Sequence, residues 1–190
     1  MANLYAKFLI VCCMRLFIAI EAPEEIRNYF LELQKQISND LAKIVFTKSF
    51  HLTLKFLGEA DESKKDRVIE LLRKVKFEHF IAALSDMGIF PSENYMRVLW
   101  VGLEPKGKIV ELQQKIDDIL ANLFPKDKRF HPHITLGRVK FVNDKKKIMG
   151  FLKGMDIEKK SFEIKDFRLI KSTLTPEGPV YEVLEKFKTG

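Results

Sequence analysis

One four-residue phrase occurs twice in this chain, and it constrains the fold more than any other feature. His51-Leu52-Thr53-Leu54 and His133-Ile134-Thr135-Leu136 carry polar residues at their first and third places and apolar residues at the second and fourth. That alternation marks a strand with one face in a core, because side chains two apart share a face. His51 and Thr53 therefore project together, as do His133 and Thr135, with the apolar pair of each packed behind. A chain that repeats such a strand is expected to fold as two similar halves, each presenting an imidazole and a hydroxyl. The chain has only four histidines. Either tetrad alone reads as an ordinary strand; the two together, in matched frames, read as a site.

The rest of the chain fits two halves. Leu16 to Ile20 is a short apolar run that reads as a buried first strand. Pro23-Glu24-Glu25 opens a helix, where proline and acidic residues both suit the first turn. Ile26, Tyr29, Phe30, Leu33 and Ile37 give that helix one apolar face. The first tetrad opens a strand over 50–57, closed by Gly58, and a second helix follows over 61–76. Strands are expected over 77–84 and 97–103, linked by the turn-rich Pro91-Ser92-Glu93-Asn94. A third helix runs from Pro105 to about Leu123, a strand covers 134–139, and a short basic helix covers 143–155. Segments 162–170 and 180–187 form a hairpin around Thr175-Pro176-Glu177-Gly178.

No Gly-, Ser- or Pro-rich linker divides the halves, so two lobes in one domain over residues 14–190 are expected. Residues 1–13 read as an additional arm. Phe8 to Ile20 is apolar except for Arg15, as in a signal peptide. Arg15 interrupts the run, however, and cleavage would remove the first core strand. The two cysteines, Cys12 and Cys13, are adjacent and build no disulfide framework, which places the protein in a reducing compartment, the cytoplasm. No apolar run reaches the length of a membrane span. The net charge of +7 and pI of about 9.3 suit a polyanionic partner, although a solvated Lys-rich surface gives the same balance.

Two imidazoles and two hydroxyls facing one space suit the opening of a cyclic phosphodiester. Such a reaction needs a base for the water proton and an acid for the departing ribose oxygen. Groups that titrate near neutrality can supply both. Threonine hydroxyls can hold the non-bridging oxygens as charge develops.

The stretches His51-Leu52-Thr53-Leu54-Lys55-Phe56-Leu57-Gly58-Glu59 and His131-Pro132-His133-Ile134-Thr135-Leu136-Gly137-Arg138 resemble the paired motifs of the 2H phosphoesterase superfamily. Within it, the chain is most similar to the RNA 2′,3′-cyclic phosphodiesterases, also called 2′-5′ RNA ligase-like proteins. Arg15 to Ile20 resembles their opening strand, and Ser172-Thr173-Leu174 with Gly178 and Tyr181 their closing hairpin. The likeness spans about residues 14 to 188; the arm has no place in the pattern. It implies an α+β fold, bilobal, with two pseudo-symmetric halves, each an antiparallel sheet with flanking helices, around a central groove. It implies catalysis by His51 and His133, phosphate binding by Thr53 and Thr135, hydrolysis to a 2′-phosphate, and 2′-5′ joining of RNA ends as the reverse sense. The implied partner is RNA with 2′,3′-cyclic phosphate ends, tRNA fragments included. The implied protein is monomeric and needs neither cofactor nor membrane.

Around this pair, Lys55, Arg138 and Tyr181 are candidate RNA contacts: two cations for phosphate and an aromatic ring near a turn for stacking. Phe56 and Trp100, being strand aromatics, read as core. Lys145-Lys146-Lys147 reads as a solvated face. His131 could join His51 and His133 in a metal site, since His-x-His spacing permits it. Pro132 restricts that backbone and no carboxylate or cysteine lies nearby, so no metal is expected. No phosphate-cradling glycine loop or ligase lysine signature is present, so no nucleotide cofactor is expected. The alternative is a module that holds RNA ends or a nucleotide without turning it over. Two imidazoles at matched positions favour the enzyme.

Overall fold

The computed structural model describes residues 13–38 and 40–190. The proposed arm lies outside them except for Cys13, which is exposed. The elements run β1 (Met14–Glu21), α1 (Glu24–Gln36), β2 (Ala42–Phe46), β3 (His51–Ala60), α2 (Glu62–Leu72), β4 (Phe80–Ser92), β5 (Tyr95–Glu104), α3 (Lys106–Ile119), β6 (His133–Val142), α4 (Lys145–Gly154), β7 (Ser161–Ile164), β8 (Asp166–Thr175) and β9 (Gly178–Lys188). Among the described residues, no helix is long and apolar enough to cross a membrane.

The fold is α+β, and the strands form one antiparallel sheet in the order β7-β4-β5-β6-β3-β1-β8-β9, with β2 added on β6. The two halves meet edge to edge at β3 and β6, where the ladder has a single registered pair, Leu52 with Ile134. These are the second residues of the two tetrads, so the seam of the molecule runs between the repeated motifs. Leu52, Leu54, Ile134 and Leu136 are buried in the main core with the apolar faces of the four helices. The other face carries a small apolar cluster of its own, Phe17, Ala19 and Ile170.

Four elements differ from expectation, among them β4, which runs to Ser92 through the first half of the expected 91–94 link. Residues 42–46 form a strand, β2, where none was expected; its Ala42 and Ile44 are buried against the core while Lys43 and Val45 are exposed. Segment 161–175 is two strands rather than one. β7 pairs with β4 in one half, and after Lys165 the chain enters β8, which pairs with β1 in the other. The helix expected over 61–76 ends at Leu72.

Candidate active site

Extending the Leu52–Ile134 register by one residue in each direction sets His51 opposite Thr135 and Thr53 opposite His133. Each imidazole thus has the other half's hydroxyl as its cross-strand neighbour. The two histidines are diagonal neighbours, at backbone separations of about 7–8 Å, a span that one phosphate group can bridge. All four side chains are partly exposed, between fully buried apolar neighbours. The arrangement matches the sequence reading of His51, Thr53, His133 and Thr135 as facing one space.

Both strands break their alternation just beyond the tetrad. Ala19 pairs with Thr53 and Ile18 with Lys55, leaving Leu54 as an extra residue. Trp100 pairs with Thr135 and Leu99 with Gly137, leaving Leu136 as an extra residue. A bulge of this kind inverts the facing of every later side chain. Lys55, expected beside His51 and Thr53, therefore turns inward and is only 2% exposed. It donates to an Asp117 carboxylate oxygen of α3 and, at 2.8 Å, to the carbonyl of Pro125. Lys55 is a buried ion-pair partner and not an RNA contact. The same bulge turns Phe56 outward, 73% exposed, where strict alternation places it in the core. In β6 the equivalent step turns Arg138 outward, onto the face of His133 and Thr135.

Each bulge is held by a helix far from it in sequence. Gln34 of α1 donates to the carbonyls of Leu136 at 2.8 Å and Thr47 at 2.9 Å. Asp117 of α3 holds Lys55 and accepts from Gln113 at 3.0 Å and the Asp127 backbone at 2.8 Å. The two tetrad strands are thus fixed by helices α1 and α3.

His133 Nδ1 lies 2.7 Å from the carbonyl oxygen of His131. A carbonyl only accepts, so Nδ1 carries the proton, and in neutral His133 the Nε2 lone pair is available. Burial lowers the His133 pKa, the hydrogen bond to His131 opposes this, and the nearby His131 lowers it further. His51 lies deeper. Burial first, and the charge of His133 second, lower its pKa from 6.5 to about 4. Its Nδ1 is 3.5 Å from the Ser49 hydroxyl.

Aromatic rings wall each imidazole. His51 packs on Phe17 at 5.1 Å and edge-on to Tyr181 at 5.4 Å. Phe56 is 6.2 Å from the same Phe17. His133 meets Phe90 edge-on at 4.9 Å and Trp100 at 5.9 Å. His131 packs against Trp100 at 4.7 Å, so it belongs to this wall. The indole lies on Gly88, where a Cβ would come 2.1 Å from a ring carbon, so only glycine fits beneath it. Tyr181 does border the site: burial raises its phenol pKa, and the charge of Arg138 lowers it. Lys145, Lys146 and Lys147 lie on α4, whose Ile148 and Leu152 pack into the core, on the face opposite the histidines. Sequence reasoning missed Phe17, Phe56, Phe90 and Trp100 as site residues. The strands of Phe17, Phe56 and Trp100 were recognised, that of Phe90 was not expected to reach it, and which face each ring takes depends on the bulges and on long-range pairing.

The sequence pattern of the family described as LigT like Phosphoesterase matches this chain twice, over residues 20–100 and 101–181, one tetrad in each match. The RNA 2′,3′-cyclic phosphodiesterase of Methanocaldococcus jannaschii is 40% identical over 176 residues, covering 92% of this chain and 100% of that protein. The RNA 2′,3′-cyclic phosphodiesterase of Archaeoglobus fulgidus is 35% identical over 178 residues, covering 92% and 100%. The crystal structure of Escherichia coli LigT in its apo form superposes with a TM-score of 0.75 at 25% identity, covering 93% of this chain and 98% of that one.

Proposed function

Because this chain belongs to the LigT-like family of 2H phosphoesterases, we propose that it hydrolyses the 2′,3′-cyclic phosphate at RNA ends to a 2′-phosphate. The observation that carries this reading is the pairing of Leu52 with Ile134, which brings two histidines and two threonines from distant parts of the chain onto one face. In the reaction, water attacks phosphorus opposite the ribose 3′-oxygen. The base removes a proton from the water, the P–O3′ bond breaks, and the acid protonates the departing oxygen. The Thr53 and Thr135 hydroxyls donate to the non-bridging oxygens.

The roles follow from the ring nitrogens. His133, with Nδ1–H committed to the His131 carbonyl, offers Nε2 as the base. His51 serves as the acid. Burial, with the charge of His133, holds its pKa at about 4 and so keeps it neutral near pH 7; an incoming phosphate supplies the negative charge that favours its protonated form. Arg138, on the same face, adds positive charge for phosphate, and Tyr181 borders the nucleoside. Acid, base and oxyanion donors all come from side chains, so we expect turnover to persist under exhaustive chelation.

The test is incubation with a 2′,3′-cyclic mononucleotide in EDTA, followed by identification of the phosphate position. A 2′-phosphate product is expected. His51→Ala and His133→Ala should each lose about 10²- to 10⁴-fold in rate, and Thr53→Ala and Thr135→Ala about 10- to 100-fold, each losing one donor. If both histidine variants keep the rate of the unaltered protein, the two-histidine mechanism fails; if the unaltered protein itself gives no product, the site binds RNA ends without turning them over.

A further inference from the structure

The face that carries the histidines does not stop at them. β2 lies along β6 beyond the point where β3 has diverged, pairing Val45 with Arg138 and Lys43 with Phe141. The core faces of these strands are set by Ile44 and Val139, both buried. Lys43, Val45, Arg138 and Phe141 therefore point the other way, onto the side of His133 and Thr135. Val45 is 51% exposed and Phe141 is 54% exposed. Neither Lys43 nor Arg138 has an ion-pair partner among the described residues. From Thr135 to Phe141 this strip extends about 20 Å along β6.

Apolar side chains on a sheet face, alternating with cations and exposed to water, suit a ligand that is itself both flat and charged. A nucleobase stacks on a ring such as Phe141, the neighbouring sugar packs on Val45, and the backbone phosphates meet the lysine and arginine. The strip is also continuous with the catalytic pair: Phe56 and Arg138 occupy the equivalent positions just after the two bulges, one on each side of the seam.

We infer that the β2–β6 strip, built of Lys43, Val45, Arg138 and Phe141, is a track for single-stranded RNA that leads to the histidine pair, so that the protein reads an RNA end together with several preceding nucleotides. This inference rests on the proposed cyclic phosphodiesterase reading for the reaction at the end of the track, but binding to the track can be measured without turnover.

The experiment uses the full chain and fluorescence polarisation, with a single-stranded octanucleotide and a dinucleotide, both ending in 2′-phosphate. The octanucleotide should bind at least about tenfold more tightly, one stacked base being worth that much. The double variant Lys43→Glu/Phe141→Ser should lose this advantage and bind both lengths alike. Lys43→Glu alone should flatten the salt dependence for the octanucleotide by about 0.7 in log–log slope, or more, because one phosphate is no longer neutralised by the protein. Both variants should turn over a 2′,3′-cyclic mononucleotide at the unaltered rate, since it is too short to reach Lys43. Equal affinity of the unaltered protein for both lengths would overturn the inference, as would a double variant that retains the octanucleotide advantage. Sedimentation showing a dimer that the double variant dissolves would also overturn it, assigning the strip to a second copy of the chain. Loss of mononucleotide turnover in the unaltered protein, with length-dependent binding intact, would instead refute the proposed reaction and leave the track standing.

Discussion

Replacing His51 by glutamine should make the protein less sensitive to acid, even as it removes the proposed acid. The imidazole is held with its pKa lowered from 6.5 to about 4, by burial first and by His133 second. The folded state therefore disfavours the proton, while the unfolded chain takes it up at the ordinary pKa. Above pH 6.5 neither state is charged at this position, and His51 exerts no pH-dependent effect. As the pH falls through 6.5 toward 4, protonation favours the unfolded chain and stability is lost. At about 1.36 kcal/mol per pH unit, that interval corresponds to about 3 kcal/mol. Urea unfolding at pH 7.5 and pH 4.5, for the unaltered protein and His51→Gln, isolates the effect as a difference of differences. Other titrating groups are common to both proteins and largely cancel. The variant should lose about 2–3 kcal/mol less on acidification. Saturating 2′-nucleotide should produce the same flattening in the unaltered protein, because a phosphate beside His51 favours its charged form. Equal acid losses in the two proteins would show that His51 is not held neutral in the fold, and the argument for its substrate-induced charging would fall.

The only tryptophan is Trp100, packed against His131 and His133, so its fluorescence should titrate with those imidazoles and change when a nucleotide phosphate enters. Gly88→Ala would place a Cβ 2.1 Å from the indole; it should displace the ring and raise KM more than it lowers kcat, read by steady-state kinetics beside the emission spectrum. Lys55→Met should cost about 3–5 kcal/mol in chemical denaturation by leaving Asp117 buried without its cation, and Lys55→Met/Asp117→Leu should cost less than the sum of the single changes. Removing residues 1–13, which precede β1, should change melting temperature and turnover little if 14–190 is the folding unit; a large loss in either would make the arm part of the domain.

The sequence by itself determined the strands of the two tetrads, the helices between them and the chemical character of the site. These follow from local patterns. A two-residue period places His51 with Thr53 and His133 with Thr135, and a helical stripe places Ile26, Phe30 and Leu33 in a core. The reuse of one tetrad then implied that two distant stretches serve one site. Tertiary structure decided what local patterns cannot encode. Whether Lys55 or Phe56 shares the outer face with His51 depends on a bulge at Leu54, and that bulge exists because Ala19 and Ile18 of another strand take Thr53 and Lys55 as partners. The buried cation is tolerable only because Asp117, from a helix distant in sequence, is there to meet it. β2 escaped notice because Lys43 leaves it an unbroken apolar run of only Ile44-Val45-Phe46, too little to declare a strand until β6 is beside it. The lowered pKa of His51 has the same origin: burial and the nearness of His133 are properties of the assembled sheet, created when Leu52 pairs with Ile134 across the seam.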